Sequence, residues 1–453
     1  MMRKIFLFTF LLLATVAYAQ NDSTFIRKIY DEALERGEAH SNLKSLCKDI
    51  GARITGSAEA EMAVRWGEKL LNTYDFDSVY LQEIMVPHWE RGTKEAGWIE
   101  NKDGEILKLN ILALGGSIGT SGILDGQIVE MADLDELKKA DPLKVKGKIV
   151  FINKPFDQKL IRTFNAYGAC WPVRGNGAVE AAKKGAVAVI IRSLATPTDH
   201  HAHTGSMNYS NETEKIPAAA ISTAHSDILS NWLKKGKVNI KIEMDCKQFP
   251  NVKSYNVIGE MKGTFDDQIL TIGGHLDSWD VGEGAHDDGA GIVHSIEALR
   301  ILQQLNYQNR HTIRVVLFMN EENGNFGGKS YAKMAYEAGE KHLFALESDR
   351  GGFLPIGFDI VGNKNQVKQV QDFAEVLHGF QIYKLQKGYG GVDINPLREY
   401  YPEMLQMGLA ISSQRYFDFH HAETDVFENV NKRELELGCA ASASMLFLVD
   451  QYY

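Results

Sequence analysis

From about residue 250 the apolar positions of this chain gather into near-continuous runs: QILTIGG, IRVVLFMN and HLFALES. Runs of that kind predict strands buried on both faces, as in a parallel sheet covered by helices. Between the first two lies GIVHSIEALRILQQL, where Ile292, Val293, Ile296, Leu299 and Leu302 fall on one side at helical spacing. Strand and helix alternate, so the fold class expected is α/β. From residue 118 to 249 the runs are shorter and β-branched: GQIVEM, KVKGKIVFI, AVAVIIRS, IPAAAIS and NIKIEM, with AVEAAKKG as a helix ending at Gly185. That stretch predicts a compact unit of its own and carries no strong chemical motif. Ahead of it, GARITGSAEAEMAVRWGEKLL predicts a helix with Ser57 as its N-cap, and residues 78–99 read as strands. The organisation expected is a main domain in two segments, 20–117 and 250–453, with an insert at 118–249.

The first twenty residues have a different pattern. Arg3 and Lys4 precede an apolar run from Ile5, and Ala17-Tyr18-Ala19 follows it. This is the order of a signal peptide, 1–19, with cleavage after Ala19 and export to the periplasm or the extracellular space. The run is short for a membrane span, and no later run predicts one. Composition is ordinary for a globular chain, with 44 % hydrophobic and 24 % charged residues. The net charge of −10 and the lack of a basic stripe argue against a nucleic-acid partner. Cys47, Cys170, Cys246 and Cys439 are far apart without a CxxC, and either disulfides or buried thiols fit them.

Chemistry gathers where the three apolar strands end. The first ends in GGHLDSWDVGEGAHDDGAG, the second in NEENG and the third in ESDRGG, with YFDFHHAETD near the C-terminus. In open α/β sheets, sites form beyond the carboxyl ends of the strands. Histidines and carboxylates collected at one such edge suit a borderline divalent cation such as zinc. His275 and Asp277 are two apart, so on a strand they share a face. His275 is expected to ligate through one ring nitrogen, with Asp277 fixing its tautomer through the other. Asp288 is placed to cap the following helix, leaving Asp287 for metal, and its two oxygens could bridge two ions. Glu321 and Glu322 are adjacent at a strand end and point in roughly opposite directions, so they need not compete for one position.

Taken together, HLDSWDVGEGAHDDGAG, NEENG, ESDRG and HHAETD resemble the motif series of the dizinc exopeptidase family, which includes zinc aminopeptidases and the carboxypeptidase Q group. The detailed match is nearest that group. It extends to ARITGS near the N-terminus, and RGNGAVEAAKKGAVAVIIRS with HTG and KIPAAAIS resembles a protease-associated (PA) insert. The resemblance implies a sandwich of helices around a mostly parallel central sheet. It implies two Zn2+ ions per chain, one on His275, Asp287 and Asp349 and one on Asp287, Glu322 and His421. Glu321 would be the general base. His421 is preferred over His420 because the family places its histidine four residues before an aspartate, here Asp425. The activity implied is hydrolysis of dipeptides or short peptides, as a carboxypeptidase or dipeptidase, with an aminopeptidase as alternative. A homodimer is also implied.

The match has departures. Ala422 and Val426 stand where hydroxyl residues are common, which bears on the support of His421. Arg350 follows Asp349 where the carboxypeptidase Q group has a small residue, which bears on the pocket. The glycine-rich KGYGGVDINP at 387–396 resembles the family's pocket loop, and Asp393 in it is the candidate for a substrate ammonium. Arg350, Arg398 and Arg415 are each a candidate for a substrate carboxylate or for a structural ion pair. DHHAHTG, with His200, His201 and His203, has no cysteine nearby and is expected to be a solvated loop of the insert. Two further readings share the fold, a single-zinc glutaminyl cyclase and a non-catalytic binding ectodomain. Complete ligand motifs and Glu321 speak against both.

Overall fold

The structure, a computed structural model, describes residues 21–453, so the signal peptide expected at 1–19 lies outside the described residues. The strands of its first half are β1 (Ser78–Glu90), β2 (Glu95–Asn101), β3 (Ile106–Leu109), β4 (Ile111–Ala113), β5 (Leu124–Met131), β6 (Ile149–Ile152), β7 (Ala188–Arg192) and β8 (Ala218–Ile221). Those of the second are β9 (Val238–Met244), β10 (Lys247–Met261), β11 (Gln268–His275), β12 (Thr312–Phe318), β13 (Lys341–Glu347), β14 (Pro355–Val361), β15 (Lys384–Lys387) and β16 (Leu405–Ile411).

They form two sheets. The larger domain has the order β1-β10-β12-β11-β13-β16-β14-β15. At its centre β12, β11, β13 and β16 are parallel, as their apolar runs predict. The helix Ala290–Gln304 connects β11 to β12 and lies against this sheet. Its expected apolar face is buried, but so is every other residue from Ala290 to Leu302. Among its polar members, Arg300 donates to Glu297 at 2.7 and 2.8 Å and to Glu32 at 3.1 Å. The long C-terminal helix Lys432–Tyr452 covers it. Ser57 caps the helix Ala58–Leu71 by accepting the Ala60 N–H at 3.0 Å.

The second sheet has the order β3-β2-β9-β5-β6-β7-β8-β4. The chain enters it from β1 and leaves through β10, and these two pair antiparallel from Ser78↔Glu260 to Glu90↔Lys247. β2, β3 and β4 precede residue 118 yet belong to this sheet, so strand pairing extends it beyond the insert boundaries read from the pattern. Those three strands are short or half-exposed, and the apolar signal used to place the boundary is weak in them. All four cysteines are buried and free.

Candidate metal centre

Because β11, β12, β13 and β16 run parallel, the loops after them emerge at one edge. His275 is the last residue of β11, and the turn 319–325 follows β12. Asp349 lies two residues past β13, and His420 and His421 lie beyond β16. Asp287 lies in the turn Ala285–Gly289 that leads into the helix Ala290–Gln304.

The structure brings the expected ligands together around Asp287. His275 Nε2 is 3.2 Å from Asp287 Oδ1 and 3.6 Å from Asp349 Oδ1. His421 Nε2 is 3.2 Å from Asp287 Oδ2 and 3.1 Å from Glu322 Oε2. Each oxygen of Asp287 therefore faces a different histidine. The spacings lie close to the edge of a tetrahedron, about 3.3 Å for ligand bonds near 2.0 Å. Asp287 Oδ2 and Glu322 Oε1 are buried and accept no hydrogen bond among the described residues. Buried acceptors left that way are costly unless something positive meets them, and a divalent cation between them fits. His420 also approaches Asp287, with Nε2 3.7 Å from Oδ2, and stacks on His421 with ring centroids 3.5 Å apart. His421 has the better geometry for a three-ligand set because it reaches Glu322 as well.

The protonation states carry the same message. Burial would lower His275, but the facing carboxylates of Asp287 and Asp349 hold it well above the usual histidine range. Burial would lower His421 too, yet Glu322 and Asp287 raise it to about 9. Asp287 is driven well below the carboxylate range by the two histidines, against its burial. Burial pushes Glu322 up to about 7 and Glu321 well above its ordinary value. The imidazoles take up protons here because the carboxylates demand positive charge.

Asp277 has a different job from the one its spacing suggests. His275 Nδ1 lies 2.9 Å from the backbone carbonyl of Asp277, while the carboxylate Oδ1 is 3.8 Å away. β11 has ended by then, so strand alternation no longer governs the pair. The Asp277 carboxylate instead accepts the N–H groups of Asn320, Glu321 and Glu322 at 2.7, 3.1 and 3.3 Å, and the Thr55 hydroxyl at 3.0 Å. It pins the turn that carries both glutamates.

Several further supports went unassigned in the sequence. Buried Arg53 donates to the carbonyls of Leu276, Glu283 and Gly284 at 2.6, 2.6 and 2.9 Å and so shapes the loop between His275 and Asp287. With Thr55 it gives ARITGS a structural role. Asp425 accepts the N–H groups of His286 at 2.7 Å and Asp287 at 3.1 Å. Asp288 accepts the N–H of Gly291 at 3.0 Å, as expected of a cap, and that of His275 at 3.1 Å. Support for His421 comes from the second sheet: its Nδ1 is 3.3 Å from the Thr204 carbonyl and 3.3 Å from Arg174 Nη1. The DHHAHTG loop is therefore packed where a solvated loop was expected. His203 is buried with Nδ1 2.6 Å from the His420 carbonyl, and His201 meets Glu423 at 2.7 Å. The contacts span more than 200 residues, and no local pattern signals them.

A cavity of about 940 Å³ opens over the ligands, lined by Glu321, Glu322, Asp349, His421 and, from the second domain, Tyr167, Trp171 and Arg174. The glycine loop forms one side through residues Gly388 to Val392. Asp393 does not line it. Its carboxyl is fully buried, accepts no hydrogen bond among the described residues, and is held well above the carboxylate range by burial and by Glu347. The substrate-ammonium role expected for Asp393 is thus not the one its placement allows. Glu347 holds the loop, accepting the N–H groups of Val392, Asp393 and Ile394 at 2.8, 2.9 and 2.9 Å. The close backbone approach that Gly391 permits is to this carboxylate.

The model of peptidase family M28 matches residues 256–443, and the PA domain model matches residues 124–229. Carboxypeptidase Q of Bos taurus is 32 % identical over 430 residues, covering 93 % of this chain and 86 % of its own. Carboxypeptidase Q of Xenopus laevis is 35 % identical over 403 residues, covering 86 % and 81 %. Among solved structures, a peptidase M28 precursor from Shewanella amazonensis superposes with a TM-score of 0.89 at 33 % identity, covering 95 % of this chain and 97 % of that one. A zinc aminopeptidase from Bacillus subtilis shares the fold, with a TM-score of 0.63 at 20 % identity over 90 % and 93 % of the two chains.

Proposed function

The chain belongs to peptidase family M28 and is a metallo-exopeptidase, and from that premise we propose that it hydrolyses dipeptides or short peptides with two Zn2+ ions and Glu321 as general base. The observation that carries this reading is the bridging placement of Asp287 between His275 and His421, 3.2 Å from each. His275, Asp287 and Asp349 would hold one ion, and Asp287, Glu322 and His421 the other. When bound, the ions supply Lewis acidity to the scissile carbonyl and make water a stronger acid.

The protein's own groups do the rest. Glu321 stands beside the ligands, lines the cavity and is raised in pKa by burial. It takes a proton from the attacking water as the oxygen bonds to the peptide carbon. It returns that proton to the amine nitrogen as the C–N bond breaks. Asp277 holds the Glu321 and Glu322 backbones, so neither carboxylate must search for its position. Tyr167 and Trp171 of the second domain line the cavity beside these groups. Export is part of the proposal and rests on the Arg3-Lys4, apolar-run and Ala17-Tyr18-Ala19 order.

Two measurements test the reading together. Metal analysis of the purified protein should find two zinc ions per chain. Free, N-blocked and C-blocked dipeptides tried side by side should show cleavage of at least one class. Cleavage of N-blocked but not C-blocked substrates means a carboxypeptidase, the reverse an aminopeptidase, and cleavage of the free form alone a strict dipeptidase. One zinc with no cleavage of any of them would sink the proposal and favour cyclase-type chemistry.

A further inference from the structure

One wall of the cavity carries a charge imbalance that the metal ligands do not explain. Arg162, Arg350 and Lys384 line it together with a single carboxylate, Asp359. That carboxylate is already committed. Its Oδ2 accepts from Arg350 at 2.7 Å, its Oδ1 from Gln386 at 3.0 Å, and Arg162 straddles both oxygens at 3.3 and 3.4 Å. Burial would raise Asp359, but Arg350 outweighs it and keeps the group below its ordinary range. Arg350 is further fixed by donating to the Tyr389 carbonyl at 2.8 Å and lying over the Phe164 ring.

Lys384 is left over. It sits on β15 two residues before Gln386, so both side chains project from the same face, and that face is the one on which Gln386 meets Asp359. Its ammonium has no hydrogen-bond or ion-pair partner among the described residues. Burial, and then Arg162, press its pKa down. Three cations thus share one acid, and the least satisfied of them faces the cavity. Arg398 and Arg415 do not belong to this group. The first donates to the Met404 carbonyl at 2.7 Å, and the second lies on the surface 3.5 Å from Asp418.

The placement relative to the ligands narrows what the wall can bind. Arg350 directly follows Asp349 in the chain, and Lys384, Arg350 and Arg162 line the same cavity as Glu321, Glu322 and Asp349. An anionic group of a peptide held over those acids therefore has this wall within the same cavity to meet. We propose that Lys384, with Arg350 and Arg162 behind it, is the subsite for the free C-terminal carboxylate of the peptide, so that the enzyme works from the C-terminus. The inference rests on the exopeptidase reading and gives it a direction.

Binding to the zinc-loaded Glu321→Gln protein, read by calorimetry, separates the question from turnover. The probes are the dipeptide Ala-Ala, its C-terminal amide, and Ala-Glu amide, whose only carboxylate is on a side chain. The free acid should bind at least tenfold more tightly than its amide. Adding Lys384→Met should bring the two within about twofold by weakening the acid alone, and Lys384→Arg should restore the preference. Equal affinity for acid and amide, or equal weakening of both by Lys384→Met, overturns the subsite. So does a Lys384-dependent gain for Ala-Glu amide as large as that for Ala-Ala, which would make it a side-chain pocket. A preference for the acid that persists in a wild-type protein cleaving no peptide would keep the subsite and sink the exopeptidase reading instead.

Discussion

The two domains each contain a parallel run of strands, and the carboxyl ends of those runs have been treated very differently. In the second sheet the polar groups at the ends of β5 to β8 pair with one another at several positions. Arg192 donates to Asp227 at 2.6 Å, Asn153 to Glu130 at 2.7 Å, and Ser193 to the Ile221 carbonyl at 2.8 Å. In the peptidase sheet the equivalent edge leaves Asp287 Oδ2 and Glu322 Oε1 buried and without a hydrogen bond among the described residues. Both edges obey the same topology, so topology only offers a site. What makes one of them a candidate centre is the set of acceptors that folding deliberately fails to satisfy. The second edge has a comparable orphan in His203 Nε2, on the loop that leans towards His421.

The contrast can be broken most sharply at the bridging residue. Asp287→Asn keeps the shape but leaves one acceptor oxygen and no charge. Zinc content should fall below two per chain and hydrolysis to background; two retained ions would remove Asp287 from the centre. Next in size is Glu321→Gln, which should keep both ions and lower kcat by about 10²–10⁴-fold, the usual worth of a general base. Wild-type turnover in that variant would show the base to be elsewhere.

The insert's share is tested by Arg174→Met, which removes the guanidinium beside His421 and the Thr204 carbonyl. Support at one remove from a metal is worth about 10–100-fold in affinity. One zinc should therefore leave at a correspondingly lower chelator concentration while the other stays. No change in the chelator titration would make the second domain a bystander to the metal site.

The smallest effect comes from a buried acid away from the edge. Glu436 Oε1 accepts the His40 N–H at 3.3 Å, and Oε2 accepts no hydrogen bond among the described residues. Burial, with Glu297 adding to it, pushes the carboxyl from 4.5 up to about 7. A raised acid stabilises the fold in its protonated form, fully so below about 4.5, and that stability is lost as pH rises through about 7. Glu436→Gln should therefore match the wild type in Tm near pH 5 and exceed it by a few degrees near pH 8. Parallel Tm curves across that window would show that this acid does not titrate with folding.

The sequence made the peptidase sheet legible because its strands are buried on both faces, which turns them into uninterrupted apolar runs. The acids and histidine that close each run then stand out. The insert was legible at β6 to β8 for the same reason and at β9 through its strict alternation of buried and exposed residues, whereas β2 to β4 are brief or half-exposed and gave little signal. Around the site, spacing worked only while the backbone stayed regular. Asp277 looked like a partner for the His275 ring because alternate strand residues share a face, but the strand stops at His275 and the carboxylate turns to the Asn320–Glu322 backbone. Arg53 and Glu347 act through backbone groups far away in the chain, and Thr55 and Arg174 through the side chains of Asp277 and His421, and composition carries no trace of that. Asp393 shows the converse error, an acid in a glycine loop that looks ready for a ligand and is in fact turned inward.

The ligands are spread from His275 to His421, and the last of them depends on a contact from the second domain. A ribosome makes this chain at about 5–20 residues per second, amino end first. On the ligand set proposed above, the nascent chain therefore has Asp287 and Glu321 long before it has His421. Until His421 has emerged and settled against Thr204, one half of the proposed centre would have only two of its three side chains. The order of synthesis itself keeps a peptide-cutting protein incomplete until almost all of it has been made.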